Sequence, residues 1–181
     1  TGVDKEFEPP FHPLLKRVQS DATKLTFPNN SFDVVISMDM LEHLPKNKRE
    51  TAIREMMRVA RKLVIIGVPC GKLSTEHDLK IRNDYIRLRS TGYKFADEHI
   101  KLGLPEEIGI LHYIKAAATE LKKQIKIEIK GNMNLRLRSF LMRGWMSGNI
   151  LIDIVFRKLF LFLIPLFRLM DREQYYRKIF F

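Results

Sequence analysis

The sequence predicts an α/β fold: a doubly wound, mostly parallel sheet with a largely helical C-terminal addition. Three observations carry that expectation. "FDVVISM" (32–38) and "KLVIIGVP" (62–69) are near-continuously apolar, as strands buried on both faces of a parallel sheet are. Between them, "NKRETAIREMMRVAR" (47–61) sets Ile53, Met56, Met57 and Ala60 on one helical face, so the three segments form a strand–helix–strand unit. Finally, Asp4, Asp21 and Asp39 stand at or just after expected strand ends. Open sheets of this class bind ligands beyond the carboxyl ends of their strands.

The elements follow in order. "TGVD" reads as a strand end carrying an acid, and "KEFEPPFHP" after it holds three prolines that forbid a regular helix. "LLKRVQSDA" is a short strand ending at Asp21, and "PNNS" is a turn. Asn47, with Glu50 three residues on, is the expected N-cap of the helix. Pro69 and Gly71 close the strand after it. Residues 105–121 read as a helix, with Pro105 in its first turn and Glu106 and Glu107 near the positive end of its dipole. "QIKIEIKG" alternates as a half-exposed strand, 134–171 has helical propensity broken by Gly144, Gly148 and Pro165, and "YYRKIFF" is a final strand. With 181 residues the chain is the size of one domain. It divides into a core over 1–72, a second segment over 73–148, an apolar basic helix over 149–171 and the strand over 172–181.

Charge and cysteine content narrow the function classes. The net charge of +11 favours an anionic partner, and most of the excess lies in 122–181 beside the most apolar stretch. A single cysteine, Cys70, excludes an internal disulfide and reads as a small buried or loop residue. No basic-then-apolar signal pattern opens the chain, which leads to the expectation of a cytoplasmic protein.

The pattern "SDATKLTFPNNSFDVVISMDMLEHLP…REMMRVARKLVIIGVP" resembles the class I S-adenosylmethionine-dependent methyltransferases, in the branch acting on small molecules and lipids. The resemblance covers residues 1–70 in detail. It implies a Rossmann-like methyltransferase fold with S-adenosylmethionine as cofactor. Asp4 would hold the ribose hydroxyls. Asp21 would meet the adenine amino group, and the amide of Ala22 would meet its ring. The stretch from Met38 to His43, with Met38 and Asp39 on the cofactor side, would line the methionine half and face the methyl acceptor. "DEHIKLGLPEEI" looks like an acceptor-side segment of some members. The family's first strand and its glycine-rich loop have no counterpart here, so the chain is expected to begin within a larger protein. "ARKLVI" also lacks the family's Pro-Gly-Gly turn.

Methyl transfer asks for positioning more than for acid–base chemistry, because the sulfonium already activates the methyl group. Where the acceptor is a hydroxyl or carboxyl group, His43 is the first candidate base and Glu42 the second. His43 also reads as a residue that caps the following turn or stacks on a neighbour, and Asp39 as the N-cap of a short helix. Asp33 is expected at a strand start or edge. The acid–histidine pairs in "TEHD" and "DEHI" have no regular spacing, so no metal centre is expected. In "NILIDIVFRKLFLFLIPLFRLMDR" the longest uncharged run is 159–167, short of the roughly 20 residues of a membrane span. It reads as a helix that either covers the sheet or lies peripherally on an anionic membrane, with Arg157, Lys158, Arg168 and Arg172 toward headgroups. Nucleic acid ranks below both as a partner, since no recognition motif is present. The expected function is therefore methyl transfer to a small-molecule or lipid-like acceptor. The alternative is a non-catalytic methyltransferase-like remnant that binds a membrane or a protein.

Overall fold

A computed structural model of the chain describes residues 1–155 and 174–181. Its α/β core is ordered β1 (Gly2–Asp4), β2 (Arg17–Gln19), β3 (Phe32–Met38), a 3-10 turn (Leu41–His43), α1 (Lys46–Val59) and β4 (Ala60–Pro69). Then come α2 (Gly71–Arg89), α3 (Lys94–Leu102), α4 (Glu107–Glu120), β5 (Ile129–Asn134), α5 (Leu135–Met146), α6 (Ile150–Ile154) and β6 (Tyr175–Phe180). β1 and β2 form a parallel pair of their own, and the other strands form a sheet in the order β3-β4-β6-β5. β3 and β4 are parallel, whereas β6 runs antiparallel to both β4 and β5. The Rossmann-like α/β fold is thus present, with its strands divided between two sheets.

The crossover helix follows the expected logic. α1 buries Ala52, Ile53, Met56 and Met57 at helical spacing, against Ile110 and Ile114 of α4 and Ile66 of β4. Burial of Ile53, Met56 and Met57 contributes about 1.5–3 kcal/mol each through removal of apolar area from water. Asn47 is not the cap. The helix starts one residue earlier, after Pro45, whose φ of −53° and ψ of 145° end the extended approach, and no side chain caps it. Ala60 begins β4 rather than ending the helix. Half-buried Arg58 of α1 donates to the carbonyls of Leu25 and Phe27 (2.9 and 2.8 Å) and ties the loop before β3 to the helix.

Two-sided burial of β3 is corrected. Val34, Ile36 and Met38 are 47%, 63% and 44% exposed, because β3 is the edge of its sheet and this face opens onto a cavity. Asp33 is an edge residue as expected, paired with Arg61 and Lys62. The stretch from 71 to 104, for which periodicity predicts no element, is two helices. "QIKIEIKG" enters the sheet only from Ile129, after a backbone pair between Glu128 and Phe181. Pro105 lies just outside α4, whose N-cap is Glu106. Cys70 is buried, which pushes its thiol up to about 12. Beyond α6 and Val155, the expected helix over 149–171 lies outside the described residues. Among those described, no helix is long and apolar enough to cross a membrane.

Candidate active site

Two cavities of similar size adjoin the sheets, so volume does not choose between them. One, of about 670 Å³, lies at the amino end of β4 beside Lys123 and Ile125. The other, of about 700 Å³, separates the β1–β2 pair from β3 and reaches the strand ends at Asp4 and Met38. Position favours the second, since strand carboxyl ends are where such sheets bind ligands.

Of the residues singled out in the sequence, Asp4, Ala22, Met38, Asp39 and His43 all line this second cavity. Asp4 is exposed and accepts one bond, from the Glu6 amide at 3.3 Å, so its carboxylate keeps lone pairs for a ligand. Met38 lies over Gly67 of β4, where an added Cβ would collide with its side chain. Ser37 also lines the cavity, and its buried hydroxyl has no hydrogen-bond partner among the described residues. Such an orphan group is the mark of a site completed by a ligand or water.

Asp21 does not line the cavity. Its carboxylate accepts from the Thr23 amide (2.9 Å) and hydroxyl (2.7 Å) and pairs with Lys5 at 3.0 Å. Those bonds, the Thr23 amide first, hold its carboxyl well below the usual range. Its structural work is to fix the turn that carries Ala22. Asp39 is not a helix N-cap. It sits at φ 51° directly before the 3-10 turn, whose N-cap is Met40, and a two-bond fork from Arg177 on β6 holds its carboxylate, with Nε donating at 2.7 Å.

Glu42 and His43 part company. His43 is half-buried at the cavity wall, with Nδ1 2.9 Å from Glu98 Oε2 of α3 and its ring 5.1 Å from that of His99. Glu42 points inward, only 1% exposed, and neither carboxylate oxygen has a partner among the described residues. Burial pushes its carboxyl up to about 7, and the negative charge of Asp39 adds to the effect.

Beneath this turn lies a buried polar cluster that the sequence pattern does not disclose. Asp78 of α2 accepts from Tyr176 (2.9 Å), pairs with Arg138 (3.0 Å) and faces His99 Nδ1 at 2.9 Å. Arg138 also lies 3.6 Å over the Tyr176 ring. His77, next to Asp78, turns away: Arg138 Nη1 donates to its Nδ1, so its Nε2–H must donate to Ser139 Oγ at 2.8 Å. Burial, then the charge of Arg138, lowers its pKa to about 4.

Residues 3–66 match the family model of a methyltransferase domain. A comparison with curated proteins gives no match. Among solved structures, the chain is similar to a protein of Anabaena variabilis described as a methyltransferase from an antibiotic biosynthesis pathway. Identity is 14% and the TM-score 0.47, over 94% of this chain and 74% of that one. It is also similar to phosphoethanolamine N-methyltransferase 2 of Haemonchus contortus, solved with S-adenosyl-L-methionine, at 18% identity and a TM-score of 0.49. That match covers 91% of this chain but 36% of the other, so the chain spans about a third of that enzyme's length.

Proposed function

We propose that this chain, whose residues 3–66 match a methyltransferase domain, is a class I S-adenosylmethionine-dependent methyltransferase that methylates a small-molecule or lipid-like acceptor beside His43. The observation that carries the reading is one cavity lined at one side by Asp4 and Ala22 and at the other by Met38, Asp39 and His43. Its volume of about 700 Å³ suits a ligand of the cofactor's size. The residues fit the adenosyl half best. Asp4 offers acceptor lone pairs for a diol, Ala22 offers a backbone amide on a fixed turn, and the orphan Ser37 hydroxyl offers a further polar contact. No glycine-rich loop occurs among the described residues to meet the methionine carboxylate.

When bound, the cofactor supplies an electrophilic methyl group on a sulfonium. The chain's own task is to orient and to exclude water. Met38 and Met40 give the cavity an apolar wall, and the fork from Arg177 keeps the Asp39 charge paired at its edge. Glu98 accepts from His43 Nδ1–H, which leaves Nε2 to receive a hydroxyl proton of the acceptor. The lipid-like option gains support from α6, where Ile150 and Leu151 are 72% and 69% exposed. Contact with an anionic membrane through this basic, apolar end belongs to the same proposal.

The test is transfer of a radiolabelled methyl group from S-adenosylmethionine to a panel of hydroxylated small molecules and lipid extracts. Asp4→Ala should raise the cofactor KM about tenfold, and His43→Ala should lower kcat about a hundredfold at unchanged cofactor KM. A chain that binds vesicles yet labels no acceptor would instead support the non-catalytic alternative.

A further inference from the structure

Glu42, His43 and His99 converge, although 56 residues separate the two histidines in the chain. A carboxylate oxygen of Glu42 and one ring nitrogen from each histidine lie within 4.8 Å of one another. We propose that these three side chains form a binding site for a divalent first-row transition cation of the Zn²⁺, Mn²⁺, Fe²⁺ or Co²⁺ kind.

The observation beyond mere clustering is that two of the three residues, Glu42 and His99, are buried with unpartnered donor atoms. Glu42 is 1% exposed with both oxygens lacking hydrogen bonds among the described residues, and His99 is 8% exposed with Nε2 in the same condition. A buried carboxylate without donors is costly, and a cation removes that cost. Around the donors stand the acids that a metal-binding imidazole needs. Asp78 already accepts from Tyr176 and pairs with Arg138, so it is an ionised acceptor and His99 Nδ1 carries the proton. Glu98 does the same for His43 at 2.9 Å. In both rings Nε2 is left as the nitrogen with a free lone pair, the carboxylate–histidine arrangement that orients metal ligands. Metal–ligand bonds of about 2.1 Å place neighbouring donors roughly 3–4 Å apart, and the donor atoms here lie within 4.8 Å of one another.

Two imidazoles and one carboxylate suit borderline transition cations, whereas Mg²⁺ and Ca²⁺ prefer oxygen-only shells. Three protein donors also leave a coordination position open. Because His43 lines the cavity as well, that position is available to an acceptor oxygen, and the cation then replaces His43 as the group that acidifies it. This last point alone rests on the methyl-transfer reading.

The test uses the full, untagged chain, stripped with chelator and titrated with Zn²⁺ and Co²⁺ against a chromophoric competitor. One equivalent should bind per chain, with Mg²⁺ at equal concentration failing to displace it. Glu42→Gln and His99→Gln should each weaken Zn²⁺ at least tenfold. Asp78→Asn, at a positioning residue, should weaken it about tenfold, and His112→Gln, outside the cluster, should leave it unchanged. Should a buried substitution prevent folding, judged by circular dichroism, half-buried His43→Gln takes its place. Failure of the folded wild-type chain to bind one equivalent overturns the assignment, as does Zn²⁺ affinity unchanged by Glu42→Gln or His43→Gln. The readout is stoichiometry, so it fails or succeeds independently of methyl transfer.

Discussion

The cavity beside β3 and the polar cluster beneath the 3-10 turn meet at His43 and are built on opposite principles. The cavity is open and lightly bonded: Asp4 accepts one long hydrogen bond, and Val34, Ile36 and Met38 stay exposed at a sheet edge. The cluster is closed and cross-linked. Asp78, 1% exposed, draws together α2, α3, α5 and β6 through His99, Arg138 and Tyr176. One region holds few internal commitments and so can accept a ligand. The other uses its hydrogen bonds to fix side chains, and among the described residues leaves the Glu42 carboxylate and His99 Nε2 without one.

Breaking the closed region should have the largest effect. Asp78→Ala takes the ion-pair partner from half-buried Arg138 and the acceptor from Tyr176 and His99, and should cost about 3–5 kcal/mol in urea unfolding. Asp4→Ala, in the open region, should change stability by less than about 0.5 kcal/mol. Equal costs for the two would erase the contrast.

A somewhat smaller effect should appear with pH. Folded His77 takes up a proton only near pH 4, against about 6.5 in the unfolded chain. Between those values the unfolded state binds more protons, so stability rises with pH. The contribution is complete above about pH 6.5 and is lost as pH falls toward 4, on the order of 3 kcal/mol in all. His77→Gln should flatten that part of the stability–pH curve, as measured by urea unfolding at each pH.

The smallest effect should come from the cavity face of β3. Ile36→Ser, at a site 63% exposed, should cost less than about 1 kcal/mol. A loss of 2–5 kcal/mol, typical of a core isoleucine, would show that this face is covered after all.

These contrasts also explain what the sequence could disclose. α1, β4, α4 and β6 were legible because their apolar spacing is the same signal that buries them. α2 was not: its buried residues Ser74, His77, Asp78 and Ile81 keep helical spacing, but three of them are polar and leave no apolar stripe. An apolar run likewise reports hydrophobicity and not neighbours, so "FDVVISM" predicted a strand correctly and its two-sided burial wrongly. Asp4 and Met38 could be placed because each ends a strand, and Ala22 and His43 because each follows a strand within a few residues. The pairing of Asp39 with Arg177 spans 138 residues, and that of His43 with Glu98 spans 55. Nothing in either short segment announces its partner.

On the proposed function, the cofactor occupies the open cavity between β1 and β3. Ultraviolet cross-linking of methyl-labelled S-adenosylmethionine to the chain, followed by peptide mapping, addresses it directly. The label should fall in 1–5 and 20–44, the segments that line that cavity. Label confined to 114–127, beside the cavity at the amino end of β4, would contradict it, as would no label above that of the heat-unfolded chain.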